Sequence, residues 1–151
     1  MFDRRSIEFN PNYERVIEAA LEHGSQVVLV LQTGSAVMFD RLKNISSAII
    51  EMWLSEEAGG GAIAEILCGV KNPSGKLPET LPTKPRTDID YPGNGRYVEY
   101  NEKFNVGYRY YDKHTDVICY PFGHGLSYTE FSRCDLSVME TAEGYDVRFK
   151  L

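Results

Sequence analysis

Between Gly24 and Gly34 the chain runs Gln26-Val-Val-Leu-Val-Leu-Gln32, a β-branched and leucine segment with no polar residue inside it. An apolar run without alternation is the mark of a strand covered on both faces, as strands are in parallel sheets under helices. Parallel neighbours need long crossover connections, so this one segment predicts helices on either side of it in sequence. Upstream, Asn10-Pro11 opens a stretch in which Tyr13, Val16, Ile17, Ala20 and Leu21 recur at helical spacing, and His23-Gly24 closes it. Downstream, Thr33-Gly34-Ser35 ends the strand, a short helix is expected over Phe39 to Asn44, and Ser47-Ala-Ile-Ile-Glu-Met-Trp53 reads as a second buried strand. A further helix is expected from about Ala58 to Cys68 and a strand at Leu77 to Thr80. This alternation is that of an α/β fold, a partial α/β sandwich with a mostly parallel sheet and flanking helices.

The segment Gly69 to Thr80 carries the turn dipeptides Asn72-Pro73 and Ser74-Gly75. Asn72 is biased out of the helical region by the proline after it, and Gly75 is free to take positive φ. The expected role is a rigid link from the last helix to the last strand of the parallel sheet. Beyond Pro82, with Pro85, Pro92, Gly93 and Gly95, helical periodicity disappears. Two aromatic stretches, Tyr97 to Asp112 and Tyr120 to Thr129, read as extended and tightly turned. At the end Tyr145, Val147, Phe149 and Leu151 alternate with Asp146, Arg148 and Lys150. With Leu136 and Val138 across Glu143-Gly144, this period of two predicts a β-hairpin, the incomplete start of a second, all-β unit.

The 151 residues carry a formal net charge of -6 and no run of lysine or arginine, which argues against nucleic acid or an anionic membrane as partner and favours a neutral polar ligand. The block Val27 to Leu31 is far too short to span a bilayer, and no basic-then-apolar leader is visible. Three cysteines, Cys68, Cys119 and Cys134, are widely spaced and lack C-x-x-C, and are expected as buried thiols of a reducing compartment.

Several motifs invite chemistry. Gly69 to Gly75-Lys76 is one residue too long for a P-loop, and Leu77 stands where serine or threonine would bind magnesium. Gly59-Gly60-Gly61-Ala62-Ile63-Ala64 matches G-x-G-x-x-A, with Glu79 downstream, and keeps a dinucleotide alternative open. Against it stand Glu56 and Glu57 beside the pyrophosphate position and a long approach from Trp53. His23, His114 and His124 are scattered without partners at ligand spacing, so no metal site and no cofactor are expected. Nor is there a G-x-S-x-G nucleophile elbow. Glu99, Glu102 and Asp112 lie among tyrosines, a mixture suited to bonding sugar hydroxyls and stacking on a ring, and equally to a solvated loop over a sheet edge.

A family likeness runs along the chain in order: Phe2-Asp3-Arg4, Val27 to Ser35, Trp53 with Gly60 and Ala64, Asn72-Pro-Ser-Gly-Lys-Leu-Pro78, Val106-Gly-Tyr-Arg-Tyr-Tyr-Asp112, and Pro121-Phe-Gly-His-Gly-Leu-Ser-Tyr-Thr129. In these segments the chain resembles the C-terminal α/β domain of glycoside hydrolase family 3, most like its bacterial β-glucosidases. The resemblance implies residues 1–129 as that α/β domain and 130–151 as the beginning of a fibronectin type III-like domain. It implies retaining hydrolysis by two carboxyl groups about 5 Å apart. The nucleophilic aspartate would come from a separate TIM-barrel domain. The acid/base glutamate of the family's Glu-Gly-(Phe or Tyr)-Asp-Arg loop would fall just before Met1. Catalytic carboxylates are therefore expected outside these residues. Phe2 is placed by the match near the aglycone side of the substrate, and Asp3 with Arg4 as braces of the acid/base loop. Where the family reads Gly-Gln-Glu, this chain has Glu56-Glu57-Ala58.

The expectation is thus part of a β-glucosidase-like hydrolase acting on β-linked glucosides or short oligosaccharides, inactive as the isolated chain. A non-catalytic sugar-binding or domain-docking module is the alternative. The expected location is the bacterial cytoplasm, and the open hairpin is expected to pair with another copy through its apolar face.

Overall fold

The computed structural model describes residues 6–38, 40–89 and 96–151. Helix α1 (Pro11–Glu22) starts where expected: the Asn10 side chain accepts from the Asn12 N–H at 3.0 Å, and proline occupies the first helical position. It ends at His23, where the Gly24 N–H bonds Leu21 O and the Ser25 N–H bonds Ala20 O, the paired closure of a Schellman motif. Strand β1 (Val28–Leu31) follows, then α2 (Asp40–Ile45) and strand β2 (Ala48–Glu51). β1 and β2 pair in parallel, Val28 opposite Ala48 through Leu31 opposite Glu51. Arg41 on α2 bridges Glu14 at 3.1 Å and Glu18, both on α1, tying the two helices together.

Helix α3 (Gly59–Leu67) closes on Gly69, whose φ of 72° is left-handed. Its N–H bonds Ile66 O at 2.9 Å, and the Val70 N–H bonds Glu65 O at 2.8 Å. Strand β3 (Leu81–Pro82) pairs antiparallel with β4 (Ile118–Tyr120), and between them in sequence lie α4 (Tyr108–Tyr111) and a 3-10 turn, Thr115–Val117. Strands β5 (Cys134–Thr141) and β6 (Gly144–Lys150) form the terminal hairpin.

The core joins Ile17 of α1, Leu29 and Leu31 of β1, Leu42 of α2, Leu81 of β3 and Cys119 of β4, with Val37 between β1 and α2. Leu42 is fully buried and Leu81 nearly so. The architecture is α/β as expected, and five details of the expectation change.

First, β1 is covered on one face among the described residues: Leu29 and Leu31 are buried, whereas Val28 and Val30 are 45% and 40% exposed. The core cluster draws on α1, α2, β3 and β4 but on no residue of α3, so among the described residues the second face is left open. Second, Leu77 to Thr80 is not a strand. The pairing begins at Leu81, and it is antiparallel to β4 instead of joining the parallel pair. Leu77 does exchange bonds, donating to His124 O and accepting from the Gly123 N–H, both at 2.8 Å, but these clasp a turn. The link Gly69 to Thr80 therefore leads from α3 to an antiparallel pair.

Third, Tyr97 to Asp112 is not wholly extended. Gly107 at φ 52° turns the chain into the single helical turn α4, and the Tyr110 ring is capped by the Arg86 guanidinium at 3.9 Å and the His114 ring at 4.0 Å. Fourth, the left-handed glycine of the link is Gly69, and Gly75 is not among the positive-φ residues. The cysteines also differ from expectation: Cys119 is buried, its thiol pushed up by desolvation, but Cys68 and Cys134 are exposed. Both lie outside the core, one at the end of α3 and one at the start of the hairpin.

Candidate functional site at the mouth of the parallel pair

In open α/β sheets ligands sit outside the carboxyl ends of the parallel strands. Here those ends are Leu31 and Glu51, and the chain continues from them as Gln32-Thr33-Gly34-Ser35 and Met52-Trp53-Leu54-Ser55. Ladder bonding runs one step further, with the Met52 N–H donating to Leu31 O at 2.9 Å. Immediately after it the backbone reverses. Trp53 has φ 53°, left-handed for a bulky side chain and costing about 1–3 kcal/mol.

Glu51 holds that reversal. Its Oε1 accepts from the Trp53 N–H at 2.7 Å and its Oε2 from the Thr33 hydroxyl at 3.1 Å, so one half-buried carboxylate joins the loops after both strands. Burial raises the Glu51 pKa most; the hydrogen bonds from Trp53 and Thr33 oppose that rise, and the nearby charge of Glu79 adds to it. Glu79 itself accepts from the Ala36 N–H at 2.8 Å, fixing the end of the β1 loop. Gln32 Nε2 donates to the Ser55 hydroxyl and closes the outer edge of the mouth. Gly59, opening α3, sits directly on Ser55: a Cβ there would meet Ser55 Oγ at 2.6 Å.

A second constellation clasps the Asn72–Leu77 link to the turn after β4. Asn72 Oδ1 accepts from the Ser127 hydroxyl and the Tyr128 N–H, both at 2.9 Å, while its Nδ2 donates to Thr129 Oγ1 at 3.0 Å. Lys76 Nζ donates to Gly125 O, and the Tyr128 hydroxyl reaches back to Ile66 O at 3.0 Å near the end of α3. A Cβ on Gly125 would lie 2.3 Å from Gly75 O, so this approach requires glycine. Lys76 is thus a backbone fastener, and both glycine-rich segments act in turns and packing.

Of the residues singled out from sequence, Phe2, Asp3 and Arg4 lie outside the described residues. The chain that follows them enters beside the β1 loop, where Glu8 bridges Met38 in parallel and the Met38 N–H bonds Ile7 O at 2.7 Å. Glu79, offered for the dinucleotide alternative, is instead committed to Ala36. Glu99, Glu102 and Asp112 do not converge on a described pocket. Missed by sequence reasoning was the pairing of Glu51 with Thr33. The available signal is an acid closing the apolar run Ala48-Ile-Ile50, three residues after the strand's start. Among the described residues no group of histidine, cysteine and acidic side chains is placed to hold a metal ion.

Residues 1–128 match the glycosyl hydrolase family 3 C-terminal domain. The chain belongs to glycosyl hydrolase family 3. It is 44% identical over 140 residues to thermostable beta-glucosidase B of Acetivibrio thermocellus, a match spanning 91% of this chain and 18% of that protein. It is also 34% identical over 143 residues to an exo-alpha-(1->6)-L-arabinopyranosidase of Bifidobacterium longum, covering 93% of this chain and 19% of the relative. Among solved structures it superposes on beta-glucosidase 3B from Thermotoga neapolitana in complex with alpha-D-glucose with a TM-score of 0.83 at 32% identity, over 98% of this chain and 23% of that one. The chain thus spans about a fifth of the length of the relatives it matches. The family assignment takes the place of the dinucleotide alternative.

Proposed function

We propose that the chain serves as the C-terminal α/β part of a larger retaining glycoside hydrolase that cleaves β-linked glucosides or short oligosaccharides. The observation that carries this is the family match over residues 1–128 together with 44% identity to a β-glucosidase. In this reading residues 1–129 are the α/β domain and 130–151 begin a fibronectin type III-like domain. The nucleophilic aspartate comes from a barrel domain, and the acid/base glutamate from the position just before Met1, with Met1 standing where the family has glycine. Phe2 lines the aglycone side, and Asp3 and Arg4 brace the acid/base loop. The entry of residues 7–9 beside the β1 loop supports a placement of that loop near the mouth of the parallel pair. The expected outcome for the purified chain with an aryl β-glucoside is no turnover above buffer. Robust hydrolysis would sink the reading.

Three finer points belong to the same proposal. The three free cysteines suit a reducing bacterial cytoplasm. The hairpin, exposed along its whole length, pairs two copies of the chain when no larger β unit covers it. A sugar-binding or docking role for the chain alone is favoured by one observation, the exposure of Tyr97, Tyr100 and Phe104 at 73%, 75% and 83%. Titration with cellobiose, followed by tyrosine and Trp53 fluorescence, separates it from the first reading: a saturable change supports binding, and a flat trace removes it.

A further inference from the structure

Trp53 is a tryptophan in a backbone state that favours glycine, and the group that holds it there is a carboxylate from two residues earlier. The consequence is topological. If Trp53 were in ordinary extended geometry, the chain would continue along β2; instead the indole packs back against the core while Leu54, 76% exposed, lies beside Gly34 and Ser55 meets Gln32. The whole segment from Met52 to the start of α3 takes its course from this one reversal, because Gly59 rests on Ser55 and Met52.

We propose that Glu51 is a positioning residue for the mouth of the parallel pair: by joining the Trp53 N–H to the Thr33 hydroxyl it sets the left-handed turn that presents Leu54 to Ala58 towards the glycoside. Only the identity of the ligand rests on the hydrolase reading. The mechanical part concerns this chain alone and is measured without ligand.

Removing the carboxylate should release the strain at Trp53, so Glu51 and Trp53 are energetically coupled. The experiment is a double-mutant cycle of Glu51→Ala and Trp53→Gly on the 151-residue chain, by urea unfolding followed in far-ultraviolet circular dichroism. Glu51→Ala is expected to lower the folding equilibrium constant at least ten-fold in the parent chain and under three-fold in the Trp53→Gly background. Equal losses in both backgrounds would overturn the proposal.

Trp53 is the sole tryptophan, so its near-ultraviolet dichroism reports the turn directly. That band should be lost in Glu51→Ala, kept in Glu51→Gln, which preserves an acceptor for the Trp53 N–H, and weakened in Thr33→Val. A merely structural acid would leave the band intact wherever the variant still folds. The Glu51→Gln and Thr33→Val arms keep the test decisive if Glu51→Ala fails to fold: an unchanged band in Thr33→Val together with a lost band in Glu51→Gln would also overturn it. A saturable cellobiose response of the chain alone would replace the hydrolase-part reading by the binding one, whereas the coupling, measured without ligand, decides the positioning role independently.

Discussion

The α/β body and the terminal hairpin are built from equally strong hydrophobic patterns, yet they end in opposite states. In the body, Leu42 and Leu81 are buried to 0% and 2% exposure, gathered by two helices and two strand pairs. In the hairpin the register is well defined, with Val138 opposite Val147 and Glu140 opposite Tyr145, but every residue from Cys134 to Lys150 is exposed. Its apolar face carries Leu136, Val138, Tyr145, Val147 and Phe149, and a shallow pocket is lined by Leu136, Val147 and Phe149 with Arg133 and Cys134. Alternation decides which side of a strand is apolar; only a second layer decides whether that side leaves water.

The largest test of that contrast is a pair of truncations. Leu42→Ala should cost about 2–5 kcal/mol, since the side chain is fully enclosed and the cavity cannot be filled by solvent-side relaxation. Leu136→Ala, at 71% exposure, should cost under about 0.5 kcal/mol. Urea midpoints of the two variants read both numbers, and similar costs would mean that the hairpin is buried in solution.

Next in size is the clasp. Asn72→Ala removes the acceptor of the Ser127 and Tyr128 bonds and the donor to Thr129, and should cost about 1–2 kcal/mol because all of these groups are solvent-accessible. Amide exchange should rise selectively at Tyr128 and not at Leu31. Uniform acceleration would show that the clasp and the core unfold as one unit.

Charges differ between the two regions in the same way. Arg148 with Asp146 and Lys150 with Asp135 are exposed pairs on the hairpin, whereas Glu51 is half-buried and its pKa is raised by desolvation. The folded state therefore binds the Glu51 proton more tightly than the unfolded chain does. Its contribution to stability is fully present below the ordinary glutamate range and is lost as pH rises through the raised folded value. Glu51→Gln is neutral at every pH, so it should be more stable than the parent at pH 7 and lose that advantage at pH 4. Glu79 is the charged neighbour that adds to the shift, and Glu79→Gln should shrink the difference. Urea midpoints at the two pH values check it; an advantage that grows on acidification would reverse the sign.

How much of this was legible beforehand follows the same division between local and global causes. Asn10-Pro11 and Gly24 delimit α1 because caps are local, and Gly69 ends α3 for the same reason. The hairpin's register follows from its turn and its alternation. By contrast, Leu77 to Thr80 has the composition of a strand and becomes a clasp because its partners are the His124 and Gly123 backbones, far away in sequence. The α4 turn depends on Gly107 and on Arg86 stacking over Tyr110, a contact that no period reveals. At the mouth, an acid within Ser47 to Trp53 hints at a role, but its partner Thr33 is fixed only once β1 and β2 pair in parallel.

The smallest effect on stability is also the one that speaks most directly to the hairpin. Val147 sits opposite Val138 at the centre of the apolar face and is 57% exposed. Replacing it by aspartate buries nothing and breaks no bond in the single chain, so Val147→Asp should change the unfolding free energy by no more than about 0.5 kcal/mol. If two copies cover each other's apolar faces, the same substitution places a carboxylate in a desolvated contact and should abolish the pairing. Sedimentation equilibrium across a hundred-fold range of concentration distinguishes the cases. A parent chain that associates and a Val147→Asp variant that stays monomeric would put the missing layer on a second copy. A parent chain that is monomeric throughout would leave that layer to a larger β unit, and would sharpen the contrast with a body that already covers one face of β1 itself.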